Sequence, residues 1–336
     1  MRQDRIMLAH GSGGTMMRSL VEDVFIKHFG DEALAKMDDA ATLPAPAGRI
    51  AMSTDTYVVK PIFFPGGDIG RLAVCGTVND IATSGATPLY LSVGFVLEEG
   101  LEVADLDRIL ESMASSAAEA GVRIVTGDTK VVEKGHGDGI YINTAGVGVL
   151  ADGVDLSGSH CEPGDVIVVS GTLGDHGIAV ISKREGLTFG TDIVSDAAPL
   201  NVLCAAVLAA APGVRCFRDP TRGGLASTLN ELADASGVSM TVVEDLVPVH
   251  DQVRGASEML GYDVFQVANE GKMVAVVPAD QAEAALAAMI SAPYGGDAAI
   301  IGTVAAENPG RVYVQTAFGA KRIMDMLVGE QLPRIC

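Results

Sequence analysis

Between Asp152 and Gly164 the sequence turns polar and rich in glycine and proline, and strand-like and helix-like patterns lie on both sides of that stretch. The 336 residues amount to about two domains at roughly 150 residues each. The chain is therefore read as 1–155, 156–330 and a tail, 331–336. In the first half, β-branched and alternating runs predict strands at Arg49–Ser53, Leu89–Leu97, Val122–Thr126 and Tyr141–Leu150. Helices are expected at Met16–Phe29, Gly70–Ser84 and Val103–Ala120, the last with Leu106, Ile109, Leu110, Met113 and Ala117 on one face. The second half restarts with a strand at Asp165–Ser170, followed by expected strands at Met240–Val243, Met273–Val277, Ala298–Val304 and Arg311–Gln315. Its helices are expected at Gly177–Arg184, Ala198–Ala211, Arg222–Ser236 and Asp280–Met289. Neither half alternates strictly between strand and helix, so the fold class is α+β. Forty glycines, with no tryptophan, imply many tight turns and close backbone approaches. Pro333 argues against a helix in Lys321–Cys336, which leaves an extended, mobile tail.

Charge removes two partner classes. Forty-three acidic against 23 basic residues give a net charge of −20, which repels phosphate backbones and anionic lipid. No nucleic acid and no membrane partner is expected. The longest apolar run, Val202–Ala211, is too short to span a bilayer, and MRQDRIML has no signal-peptide core. Five scattered cysteines without a CxxC pair form neither a disulfide framework nor a zinc site, which points to a reducing cytoplasm. An acidic chain can still bind nucleotide when a divalent cation bridges carboxylates to phosphates.

Four acidic motifs suit that chemistry: Asp38-Asp39-Ala40-Ala41, Ser53-Thr54-Asp55-Thr56, Val78-Asn79-Asp80-Ile81 and Arg218-Asp219-Pro220-Thr221. Each alone reads equally as a turn or helix-capping aspartate. Asn79-Asp80 is harder to dismiss, since it lies in an otherwise apolar helix where a charge needs a partner. The turn His10-Gly11-Ser12-Gly13-Gly14 leads into a helix and is a candidate phosphate cradle. Arg222-Gly223-Gly224 repeats that logic beside Asp219. Asp128 and Lys130 follow a strand; Lys130 is either a phosphate partner or base, or simply a surface ion pair with Asp128 or Glu133. Glu270, in NEGK, is a candidate base or a hairpin residue. Cys336 is a thiol behind a proline on a mobile segment, incidental or reactive.

Taken in order, HGSGG, DDAA, STDT, VNDIATSGA, TGDTKVVE, DPTRGGL, NEGK and PRIC resemble the HypE family of hydrogenase maturation factors, the carbamoyl dehydratases. The resemblance runs from residue 10 to residue 336. The carboxylate motifs are shared more widely with the PurM-like (AIR synthase-related) superfamily. PRIC is the discriminating feature, and the glycine-rich segment lacks the cysteine that selenophosphate synthetase would carry there. The resemblance implies two α+β domains, with the N-terminal sheet pairing in a homodimer. It implies ATP and Mg²⁺ as cofactors, with Asp39, Asp55, Asp80 and Asp219 holding metal, and Lys130 and Glu270 beside the reacting group. His10, Gly11, Ser12, Gly13, Gly14, Asn79, Asp128, Arg222, Gly223 and Gly224 would bind the nucleotide. A carbamoyl group on Cys336, delivered by a HypF-like donor, would be dehydrated to a thiocyanate, and the cyanide passed to a HypC–HypD-like acceptor. Two rivals stay open: a superfamily synthetase or kinase acting on a free small molecule, and a non-enzymatic carrier.

Overall fold

The computed structural model describes residues 4–188, 192–327, 329 and 332–336. Gln331, part of the expected tail, lies outside them. Helix α1 (Gly14–Leu20) continues as wider π turns over Val21–Ile26 and ends in a last turn at Lys27–Phe29. A four-stranded sheet follows, built from β1 (Arg49–Tyr57), β2 (Ala86–Glu98), β3 (Arg123–Val132) and β4 (Ile140–Leu150). The strand order is β1-β4-β2-β3, antiparallel except for the parallel pair β2 and β3. Helices α2 (Ile69–Thr83) and α3 (Val103–Ala120) cover one face. Alternation along β4 explains which face: Ile140, Ile142 and Thr144 are buried beneath the helices, and Tyr141, Asn143 and Ala145 point the other way. Gly146 and Gly148 let α2 close down on the sheet, since a Cβ at either would sit within 2.5 Å of the Ile81 side chain.

The second sheet has seven strands: β5 (Val166–Val169), β6 (Cys216–Arg218), β7 (Ser239–Val243), β8 (Val274–Val277), β9 (Ala299–Ala305), β10 (Val312–Gln315) and β11 (Lys321–Ile323). Their order is β11-β10-β7-β9-β5-β8-β6. Strand β8, flanked by β5 and β6, is buried on both faces, which is why it reads as an unbroken valine-rich run. Around this sheet lie α4 (Asp175–Glu185), α5 (Asn201–Ala210), α6 (Gly224–Ser236), α7 (Asp251–Leu260) and α8 (Ala282–Ser291). One core joins α6 to the sheet and another joins α5 and α8 to it.

Several expectations need correction. Helix α7 departs from the expected pattern, because Gly255 and three charged residues interrupt its apolar stripe. Strand β3 runs through Lys130 and does not stop at Thr126. Ile178, Ala179, Val180 and Ile181 of α4 pack in the same core as the first sheet, joined by Leu332 and Ile335. The two halves are thus welded along a seam. Part of the last stretch forms β11, and residues 332–336 are docked against that seam.

Candidate active site

The seam is organised around the loop that enters β8. Asn269 holds it from three sides: its Oδ1 accepts from Gly174 N at 2.7 Å, and its Nδ2 donates to Pro220 O and Val267 O, each at 3.0 Å. The next residue, Glu270, donates its backbone N–H to Asp196 Oδ1 at 3.0 Å. Gly271 is required here, because a Cβ would lie 1.7 Å from the Asp196 carbonyl oxygen. Lys272 then pairs with Asp196 at 3.3 Å. The outcome is a carboxyl group only 4% exposed, with Glu270 Oε1 left without a hydrogen-bond partner. Burial first, then the Asp219, Asp196 and Asp55 carboxylates, raise its pKa well above the usual range, and Arg222 opposes them.

Three sequence-predicted aspartates come together beside it. Asp55 lies on the helix-covered side of β1, Asp80 on α2 and Asp219 just after β6. Ser53 Oγ donates to Asp80 Oδ2 at 2.6 Å. Burial and then Asp55 push Asp80 up against that bond, and burial and then Asp80 raise Asp219 to about 7. Such mutual repulsion suits a divalent cation. Among the described residues no three His, Cys, Asp or Glu side chains close into a ready-made metal cage. Magnesium needs less, since it commonly takes one or two carboxylates and completes its shell with substrate phosphates and water. Asp55, Asp80 and Asp219 fit that donor set. Asp39 is exposed on an early loop, and none of the hydrogen bonds described above reaches it.

Other expected members lie elsewhere in the chain. Asp128 and Lys130 pair with each other at 2.6 Å on the open side of β3, and both are exposed. Lys130 holds the Asp128 carboxyl below its usual range. Register places Lys130 opposite Val96 and Asp55 opposite Thr144, on opposite faces of the sheet and at opposite edges. One chain therefore does not bring Lys130 to Glu270. The glycine-rich turn accompanies Lys130: His10 Nδ1 accepts from Met7 N at 2.9 Å, Ser12 Oγ donates to Ala9 O at 3.2 Å, and Gly11 packs on Val131. Gly13 and Gly14 have φ values of +77° and +79°. Asn79, expected at the nucleotide, bonds instead to backbone of the second half. Its Nδ2 donates to Ala198 O and Glu270 O, and its Oδ1 accepts from Leu200 N, so it staples α2 to the second half. Arg222, Gly223 and Gly224 open α6 beside a cavity of about 270 Å³ that Leu332 and Ile335 also line. A separate cleft of about 550 Å³ is lined by Arg71, Asp196, Lys272 and His250.

The end of the chain enters this seam. Val58 N donates to Cys336 O at 3.2 Å and Lys60 N to Arg334 O at 3.1 Å, so the tail is tied by its backbone to residues 58–60. Cys336 packs against the first core. Burial and then the Glu270 carboxyl raise its thiol pKa, and Arg222 pulls it down. Cys75, Cys161, Cys204 and Cys216 are buried elsewhere, Cys161 and Cys216 with their sulfurs 3.7 Å apart. Sequence reasoning gave no role to His176, Arg184, Asp196 or Lys272. All four act on segments remote in sequence, and only Lys272 lies within a sequence motif, NEGK.

Residues 37–150 match the model for the AIR synthase related protein, N-terminal domain, and residues 162–315 match its C-terminal domain. Carbamoyl dehydratase HypE of Azotobacter vinelandii is 55% identical over 336 residues, 100% of this chain and 98% of that protein. The chain belongs to the HypE family of carbamoyl dehydratases. HypE of Escherichia coli is 47% identical, over 99% of this chain and all of its own. A crystal structure of HypE in complex with ATP superposes with a TM-score of 0.95 at 48% identity, covering 98% of this chain and 99% of that one. HypE in a HypE–HypF complex is 50% identical with a TM-score of 0.81, covering 92% and 100%. A thiamine-monophosphate kinase, 22% identical with a TM-score of 0.64, shares the fold.

Proposed function

We propose that this chain dehydrates an S-carbamoyl group on Cys336 to a thiocyanate at the expense of ATP, supplying cyanide for the iron of nickel–iron hydrogenase. The observation that carries the reading is the Cys336 thiol seated beside a buried, partnerless Glu270 oxygen. In S–C(=O)–NH₂ the carbonyl oxygen is a poor leaving group. Phosphorylation converts it to phosphate; loss of that phosphate and of both N–H protons leaves S–C≡N, a net loss of one water. Magnesium, when bound, supplies charge neutralisation of the transferring phosphoryl group. Asp55, Asp80 and Asp219 would hold it, and Arg222 with the α6 N-terminus would face phosphate oxygens. Glu270 would accept the N–H proton, since a carboxylate raised by burial is a stronger base once ionised.

We infer a homodimer from the uncovered face of the first sheet. Ile50 and Met52 are 59% and 73% exposed there, in register with Val149 and Val147. Pairing two such faces would bury them. It would also bring one protomer's glycine-rich turn, Asp128 and Lys130 toward its partner, the route by which they could serve ATP and the reacting group. A HypF-like carbamoyl donor fits the HypE–HypF complex of the relative; a HypC–HypD-like acceptor and a cytoplasmic site of action complete the proposal. No helix among the described residues is long and apolar enough to cross a membrane. The test is mass spectrometry of the C-terminal peptide after incubation with carbamoyl donor and ATP. Loss of one water from carbamoylated Cys336 is expected; that loss on Cys75, Cys161, Cys204 or Cys216 overturns the mechanism.

A further inference from the structure

Four consecutive carbonyls of the tail are all engaged. Arg184 donates from its Nη1 to Pro333 O and from its Nη2 to Arg334 O, both at 2.7 Å. Its Nε donates to Lys60 O at 2.8 Å, which ties the same guanidinium to the segment the tail pairs with. His176 Nε2 and Ile335 O are 2.8 Å apart. A carbonyl can only accept, so that ring nitrogen carries the proton, and Nδ1 accepts from Ser195 Oγ at 2.8 Å. Val58 N completes the set at Cys336 O. The tail's own side chains add the burial of Leu332 and Ile335, which are 8% and 2% exposed, and a bond from Arg334 Nε to Val58 O at 3.2 Å.

We infer that Arg184 and His176 form a latch that reads the tail backbone and seats the Cys336 sulfur at Glu270. They are positioning residues, and the inference rests on the reading of Cys336 given above. Two further observations support it. Arg334 holds the left-handed conformation at φ +55°, a geometry a non-glycine residue keeps only when its surroundings over-determine it. The bonds to its carbonyl from Arg184 and Lys60 do so. His176 is fully buried and its ring meets Phe64 edge-on at 5.5 Å, so contacts outside the tail also hold the imidazole.

The latch is also built to let go. Lys60 and Arg334 both pair with Asp138, and Arg184 stands beside Arg334 with no ion pair of its own among the described residues. Arg184 and Arg334 repel each other, and the neighbouring Glu185 carboxylate offsets that push only in part. The docked tail is therefore held by directional hydrogen bonds to carbonyls, against a like-charge push. Undocking relieves that push, which suits a segment that must deliver its sulfur elsewhere.

The test is the alkylation rate of Cys336 by iodoacetamide, read by mass on the C-terminal peptide of the full-length protein. Arg184→Gln and His176→Ala should each speed alkylation about tenfold or more, the scale of losing hydrogen bonds that involve a charged or buried donor. His176→Gln, which restores an N–H donor, should stay near the wild-type rate. The buried cysteines should stay unlabelled, which separates release of the tail from unfolding; if one variant unfolds, the other decides. ATP affinity should be unchanged, and single-turnover dehydration should fall in step with alkylation protection. Wild-type alkylation rates in the folded variants overturn the latch. Faster alkylation with no thiocyanate on wild-type Cys336 upholds the latch and refutes the dehydratase reading.

Discussion

Asp219→Asn is expected to stabilise the metal-free protein while destroying its nucleotide binding. The substitution keeps the side chain's shape and removes its charge. Burial and the Asp80 carboxylate raise the Asp219 pKa from 3.8 to about 7. The folded chain then holds this proton more tightly than the unfolded chain does. That contribution to stability is complete below pH 3.8 and is lost as the pH rises to about 7. The displacement corresponds to about 4 kcal/mol at about 1.36 kcal/mol per pH unit. Asp219 keeps partial solvent contact, and screening brings the working figure to about 2 kcal/mol. For a cooperative unit of this size that is about 3 °C in Tm. Thermal unfolding followed by circular dichroism, without metal, should place Asp219→Asn about 3 °C above wild type at about pH 7.5, narrowing toward about pH 5. Mg²⁺ with ATP should then raise the wild-type Tm by mass action and leave the variant nearly unmoved. A variant less stable than wild type at the higher pH would refute the claim that like-charge burial dominates at this site.

Light scattering should give wild type at twice 34.6 kDa and Met52→Glu at 34.6 kDa, since that residue is 73% exposed on the open sheet face. A wild-type monomer at micromolar concentration removes the dimer. Gly271→Ala should cost about 3 kcal/mol or more, because its Cβ would lie 1.7 Å from the Asp196 carbonyl oxygen and backbone must move. A wild-type Tm in that variant would show that the loop gives way freely.

What the sequence revealed follows from what is local. Strands and helices were legible because burial imposes periods of two and about 3.6 residues along continuous segments. The ends of β3 were not, since Thr126–Val132 is polar on its open face and reads as a loop until its partners in β2 are known. Face assignment needed the strand order. Asp55 and Lys130 carry the same promise in sequence, yet register sends them to opposite sides of one sheet. Adjacent Asn79 and Asp80 diverge because successive helix positions point about 100° apart, one into the seam and one toward the carboxylates. Arg184 and His176 were invisible for a plainer reason. Their partners include backbone carbonyls 124 to 159 residues away, which no side-chain motif can announce.

The protonation state of Cys336 explains why a latch is needed at all. In the docked position burial and Glu270 keep the thiol protonated, and a protonated thiol is a poor nucleophile. Loading with a carbamoyl group therefore belongs to the undocked tail, where water restores an ordinary thiol pKa near 8.5 and a few per cent of thiolate at pH 7. Once loaded, S–C(=O)–NH₂ carries no charge, so it enters the same low-dielectric seam without the penalty a thiolate would meet. The site thus disfavours the empty, ionised tail and accepts the loaded one. Since Arg184 and His176 bind carbonyls that loading leaves untouched, they contribute equally to both tail states. Discrimination between the two then falls to the space around Glu270, whose unsatisfied oxygen gains a stronger donor in the carbamoyl N–H than in the thiol S–H.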